Sequence, residues 1–270
     1  MKIIISHDLD HLNVSEHFND LIVPKFILRA KIELLTGKIS IKEFLIRMSA
    51  LFLLRWNRID EIVAFNKLHN IPTTFFVGVN KGLGLNYSLK NAAIAIKKMQ
   101  SLGCDVGVHG ISYDNFDAVK NEFELFAKII GHRNFGIRMH YLRTNADTLK
   151  HLSDAGYLFD ATMHKFESTY HTFNFTEFPV HIMDGWMINN HKSWQANNLQ
   201  QALDESKRLI DQGVKNKVDY FSILFHDRYF TNGFRTWKSW YTQLMEYLIQ
   251  NNFQFTDYKS ALADIKEKSL

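Results

Sequence analysis

The sequence predicts an α/β fold built on a mostly parallel sheet, open or closed into a barrel. Short runs rich in β-branched and aromatic residues recur along the chain, separated by stretches of helical periodicity. The first run, Met1 to Ser6, leads straight into His7-Asp8-Leu9-Asp10-His11, and strand ends are where α/β enzymes deliver catalytic groups to one face. A length of 270 residues with a 46% hydrophobic fraction suits one barrel-sized domain spanning 1–270. No linker or repeat divides it.

Taken in order, strands are expected over 1–6, 73–79, 105–108, 135–138, 157–159, 178–182, 220–225 and 253–256. Three isoleucines in a row make the first. Asn70-Ile71-Pro72 announces the second, because the proline ends the preceding helix. Helices are expected over 59–69, 89–102, 114–130, 146–155, 198–212 and 234–251. Between the first two strands lies a long insert, 12–58. Within it, 41–58 reads as one helix with a broad apolar face and Arg47, Arg55 and Arg58 at the polar edge. Such a helix suits a cap packed on the domain, a homodimer contact, or an interfacial helix at the inner membrane leaflet with Trp56 at headgroup level.

With 32 basic and 28 acidic residues, the chain has no dense basic stripe, so nucleic acid is excluded as a partner. Cys104 stands alone, which rules out an intrachain disulfide and suits a small packed residue. The first residues lack the pattern of a signal peptide, and no apolar run reaches the roughly 18 residues of a membrane helix. A cytoplasmic protein is the expectation.

The chemistry gathers at strand exits. Alternation puts Asp8 and Asp10 on one side of an extended backbone, where their charges repel and a metal cation would relieve them. His109 follows the third strand, with Asp114 near the next helix start, placed equally well for an N-cap. Arg138, His140, Tyr141 and Arg143 follow the fourth strand, Asp160 the fifth, and His226, Asp227 and Arg228 the last polar exit. Parallel strands carry all these ends to one face. Asp227 and Arg228 fit a structural pair, while Asp184 and Trp186 fit either sugar contact or the core.

These motifs resemble those of the NodB-homology polysaccharide deacetylases, metal-dependent hydrolases of N-acetyl groups on sugars. Ser6-His7-Asp8-Leu9-Asp10 resembles the family's Thr-Phe-Asp-Asp, and His109-Gly110-Ile111-Ser112-Tyr113-Asp114 occupies the place of His-Ser/Thr-x-x-His. Arg138-Met139-His140-Tyr141 stands where the family has Arg-Pro-Pro-Tyr, and Ile223-Leu224-Phe225-His226 matches Leu-x-x-His. The spellings around His109, His140 and His226 are similar to a subgroup of bacterial surface-polysaccharide gene clusters.

The resemblance implies a distorted (β/α) barrel of about seven parallel strands with the insert after the first. It implies Asp10 and His109 as ligands of a divalent metal, zinc first, with manganese, iron or cobalt as alternatives. Tyr113 replaces the family's second histidine, so the third ligand falls to Asp114, His140 or water, with Asp114 the first choice. Asp8 becomes the general base, oriented by Arg138. The Tyr141 main-chain N–H stabilises the oxyanion, and His226, oriented by Asp160, is the general acid. His140, Arg143 and Trp186 are left to bind a nucleotide- or lipid-linked N-acetyl sugar, in O-antigen or capsule assembly. A non-sugar amide or cyclic ureide is the alternative substrate, and a non-catalytic sugar-binding module the alternative class.

Overall fold

The computed structural model of the chain describes residues 1–53 and 55–268. Its first half runs β1 (Lys2–Leu9), α1 (Ile22–Leu35), α2 (Ile41–Phe52), α3 (Ile59–Leu68), β2 (Thr73–Val77), α4 (Leu89–Ser101), β3 (Asp105–Gly110), α5 (Phe116–Ile130), β4 (Ile137–Met139) and α6 (Thr148–Ala155). Its second half runs β5 (Phe159–Asp160), β6 (Tyr170–Thr172), β7 (Phe175–Glu177), β8 (Val180–Met183), α7 (Asp184–Asn189), α8 (Leu199–Lys215), β9 (Tyr220–Leu224), α9 (Arg235–Gln250), β10 (Gln254–Thr256) and α10 (Tyr258–Lys268).

The strands form one curled sheet in the order β6-β7-β5-β4-β3-β2-β1-β9-β8, with β10 also on β1. Every pair is parallel except β6 with β7. The sheet is a half-barrel surrounded by helices, the distorted (β/α) barrel that the sequence leads one to expect. β1 organises it. Lys2–Ser6 pair with β9 while Ile5–Leu9 pair with β2, so the strand is fully engaged up to the residue before Asp10. Its isoleucines are wholly buried, each worth about 1.5–3 kcal/mol of apolar burial.

The eight expected strands are all present, and the β6–β7 hairpin is added to them. Gly110 ends β3 without a positive φ. A Cβ there would lie 2.7 Å from Ile137 Cδ1 and from the Met139 sulfur, so close packing on β4 is what requires glycine.

The insert departs further from expectation. The helix expected over 41–58 stops at Phe52, and Leu54 lies outside the described residues. Ser40 and Glu43 form a capping box at its start. Arg47 is buried rather than at a polar edge: it pairs with Glu33 of α1, donates to the Gly233 carbonyl and lies 4.0 Å from the Phe234 ring centre. Glu33 also accepts from Arg29 at 2.9 Å and from the Gln195 N–H at 2.8 Å. Trp56 is buried against His17 and Phe26, not held out at headgroup level. Arg55 bridges Asp60 and Glu61 at 3.1 Å each, and Arg58 also meets Glu61. No helix among the described residues is long and apolar enough to cross a membrane.

Candidate active site

β1, β3 and β4 carry the first three groups. His109 pairs in register with Arg138 across β3 and β4, and its Nδ1 lies 3.1 Å from the Arg138 carbonyl. A carbonyl only accepts, so Nδ1 bears the proton and Nε2 presents a lone pair. His140 repeats the arrangement: its Nε2 donates to the Leu83 carbonyl at 3.2 Å, which leaves Nδ1 as the lone pair. These two bare nitrogens lie 2.9 Å apart, with Asp10 Oδ1 at 3.2 Å from one and 3.4 Å from the other. Three electron-pair donors thus converge with their protons committed elsewhere, and the ligand atoms lie within 4.8 Å of one another. A shared cation satisfies such a set. One carboxylate and two imidazoles suit zinc, manganese, iron or cobalt.

The third member is therefore His140, not Asp114. Asp114 is exposed, and the N-cap of α5 is Asn115, whose side chain accepts from the Ala118 N–H. Geometry explains the exchange: β4 lies beside β3, so its exit carries His140 to His109, whereas Asp114 has already left with the loop. His140 accordingly leaves the substrate-binding set expected of it.

Asp8 lies beside this group, with Oδ2 3.8 Å from His109 Nε2. Its Oδ1 accepts from Arg138 at 2.9 Å. Burial alone raises the Asp8 carboxyl, but the Arg138 guanidinium outweighs it and holds the group below its usual range. Arg138 is itself fixed by the Ala161 carbonyl and the Tyr258 hydroxyl, at 2.8 Å each. Asp10 is also lowered: burial opposes ionisation, and the surrounding imidazoles of His109, His140 and His226 outweigh it.

His226 approaches from β9, its Nε2 3.7 Å from Asp10 Oδ2. Asp184, at the exit of neighbouring β8, accepts from His226 Nδ1 at 2.9 Å and from its N–H at 2.8 Å. Burial lowers this imidazole, but Asp184, with Asp10 and Asp8 behind it, raises it well above its ordinary value. The residue orienting His226 is thus Asp184, and Asp160 does not reach it. Asp160 accepts instead from the Ala161 N–H and Thr162, and pairs in register with Glu177. Burial raises both carboxyls, and the nearby Arg138 guanidinium opposes that rise.

Asp8, Asp10, His109, His140, Asp184 and His226 line a cleft of about 910 Å³, within the range of small-molecule sites. Trp186 stands at its wall, half-buried and stacked on His164 at 3.7 Å. Tyr141 follows β4 with φ +56°, and Leu142 continues at +51°; this strained pair turns the chain directly at the site. Arg143 lies outside the cleft: it donates to the Ile111 carbonyl at 2.7 Å and covers the Tyr113 ring, bracing the loop after His109. Nor do Asp227 and Arg228 pair. Asp227 accepts the Arg58 N–H at 2.7 Å, while Arg228 lies over Phe26, Trp56 and Tyr229 and lines the cleft.

No family model matches the chain, and no curated protein matches it. Solved structures do. The chain is similar to a putative polysaccharide deacetylase from Mycobacterium smegmatis, at 14% identity and a TM-score of 0.64 over 100% of this chain and 92% of that one. A probable polysaccharide deacetylase from Pseudomonas aeruginosa PAO1 gives 13% and 0.60, over 97% and 89%. Puue allantoinase gives 15% and 0.62, over 97% and 88%. The likeness establishes a fold shared with polysaccharide deacetylases and an allantoinase.

Proposed function

We propose that the protein is a metal-dependent amide hydrolase that removes an N-acetyl group from a sugar bearing an anionic linker, in the assembly of an envelope polysaccharide. The convergence of unprotonated Asp10, His109 and His140 donors, between an ionised Asp8 and a protonated His226, carries this reading. A divalent ion held by the three would polarise the acyl oxygen and acidify a water, bringing its pKa from about 15.7 towards 7.

The remaining work belongs to the protein's own side chains. Asp8 Oδ1 is taken by Arg138, so Oδ2 accepts the proton of the attacking water. The Tyr141 main-chain N–H faces the developing oxyanion, a contribution of about 2.7–4 kcal/mol where such donors have been removed. His226 Nε2 gives its proton to the departing amine, Nδ1 staying on Asp184. The acyl C–N bond breaks, leaving acetate and a free amino sugar. Trp186 offers a face to the sugar ring. Arg228, which no carboxylate neutralises among the described residues, faces the phosphate of a nucleotide or lipid linker.

Acetate release from N-acetylhexosamines, with and without a phosphodiester, tests the reading alongside ring opening of allantoin. Release from the phosphorylated sugar is expected, falling by at least about a hundredfold in Asp8→Asn. Turnover of allantoin alone would overturn the substrate, and inertness of the metal-loaded protein towards every amide would overturn the activity.

A further inference from the structure

We infer that the α1–α2 hairpin docks on the surface of an anionic lipid bilayer. Of eighteen large apolar side chains standing exposed among the described residues, eight lie between Phe18 and Leu53. Leu21, Leu28 and Leu35 recur every seventh residue along the solvent side of α1. Ile41, Leu45 and Phe52 mark the solvent side of α2, and Leu35 and Phe52 are each 86% exposed. Single exposed leucines are ordinary on a protein surface, but a cluster this dense is not.

Charge identifies what covers it. The exposed charged residues of this segment are Lys25, Lys31, Lys38 and Lys42. Its three carboxylates are occupied: Asp20 by His17 and Asn86, Glu33 by Arg29 and Arg47, and Glu43 by the capping box at Ser40. Apolar side chains interleaved with uncompensated lysines fit the boundary between acyl chains and anionic headgroups. A second copy of the chain would bring lysines against lysines. The helices are too short and too polar to span, so the hairpin lies flat on the surface.

Docking would also position the cleft. Ile22, Lys25 and Leu28 of α1 line it, so the wall nearest the bilayer is a wall of the site. A substrate carried on a lipid then reaches Asp8 and His226 without leaving the membrane surface. The docking rests on the hairpin alone and is measured without turnover.

Flotation with phosphatidylcholine vesicles, plain or carrying ~30 mol% phosphatidylglycerol, tests it. The protein is expected to float with the anionic vesicles only, and less so in high salt. Leu35→Glu/Leu45→Glu/Phe52→Glu should abolish flotation, with circular dichroism reporting that the fold survives. Should that variant not fold, Lys31→Gln/Lys42→Gln carries the test, with partitioning expected to fall about thirtyfold at roughly 1 kcal/mol per lysine. Absence of flotation, or equal flotation by the variants, overturns the inference. So does light scattering that shows a vesicle-free dimer which the apolar variant splits.

Discussion

His226 depends on a carboxylate twice over, since Asp184 takes both its ring N–H and its main-chain N–H. Asp184→Asn should therefore lower kcat by about 10²–10⁴ with little change in KM. Its alkaline limb should also move to lower pH, because burial then lowers the imidazole with only Asp10 and Asp8 left to oppose it. A pH–rate profile with an unmoved limb would assign Asp184 to structure alone. Arg228→Gln should raise KM for a phosphorylated N-acetyl sugar and spare the neutral one, which steady-state kinetics on the two substrates would show. At this scale the sequence exposes residues that share a strand with their function: Asp8, Asp10, His109, Arg138 and His226 all sit at strand exits. It conceals pairings made between strands distant in sequence. Asp160 and Asp184 both follow apolar runs, and only the placing of β8 beside β9 decides between them. His140 over Asp114 follows likewise from β4 lying beside β3.

Two elements carry their own tests. The insert is pinned by Arg47 on Glu33, a buried pair with a hydrogen-bonded periphery. Removing one partner leaves the other charge buried, so Arg47→Ala should cost about 3–5 kcal/mol in chemical denaturation and Arg47→Met a similar amount. Replacing both, as in Arg47→Met/Glu33→Leu, should cost far less. Nothing in the local sequence shows that this arginine turns inward, since its partner lies on the preceding helix. Glu122 of α5 holds the loop after His109 by accepting the Ile111 and Ser112 N–H groups. Burial pushes it up to about 7 from 4.5 against those hydrogen bonds. A raised carboxyl binds its proton more tightly in the folded state, so its contribution is full below 4.5 and lost as pH rises through 7. Glu122→Gln should thus gain stability relative to the parent across that window, by up to about 3 kcal/mol in urea melts at successive pH values. A constant difference would contradict the shift. Long periodic helices such as α5 and α8 are legible in the sequence to within a few residues. The β6–β7 hairpin is not: each strand has three residues, below any periodicity, and Phe173 turns with φ +49° without the usual glycine.

Over the whole molecule, alternating strands and helices foretell a parallel sheet, because only crossovers join parallel neighbours. Strand order and the half-barrel's curl are tertiary properties, read from pairing alone. That curl brings the exits of β1, β3, β4 and β9 around one point, where three unprotonated donors need a cation. Equilibrium dialysis against zinc, with the bound metal counted per chain, measures that need directly. The parent and Asp114→Ala should each hold one ion, and His140→Ala and Asp10→Ala none at the same free zinc. Loss of the ion from Asp114→Ala with retention by His140→Ala, or no ion bound by the parent, would contradict the account.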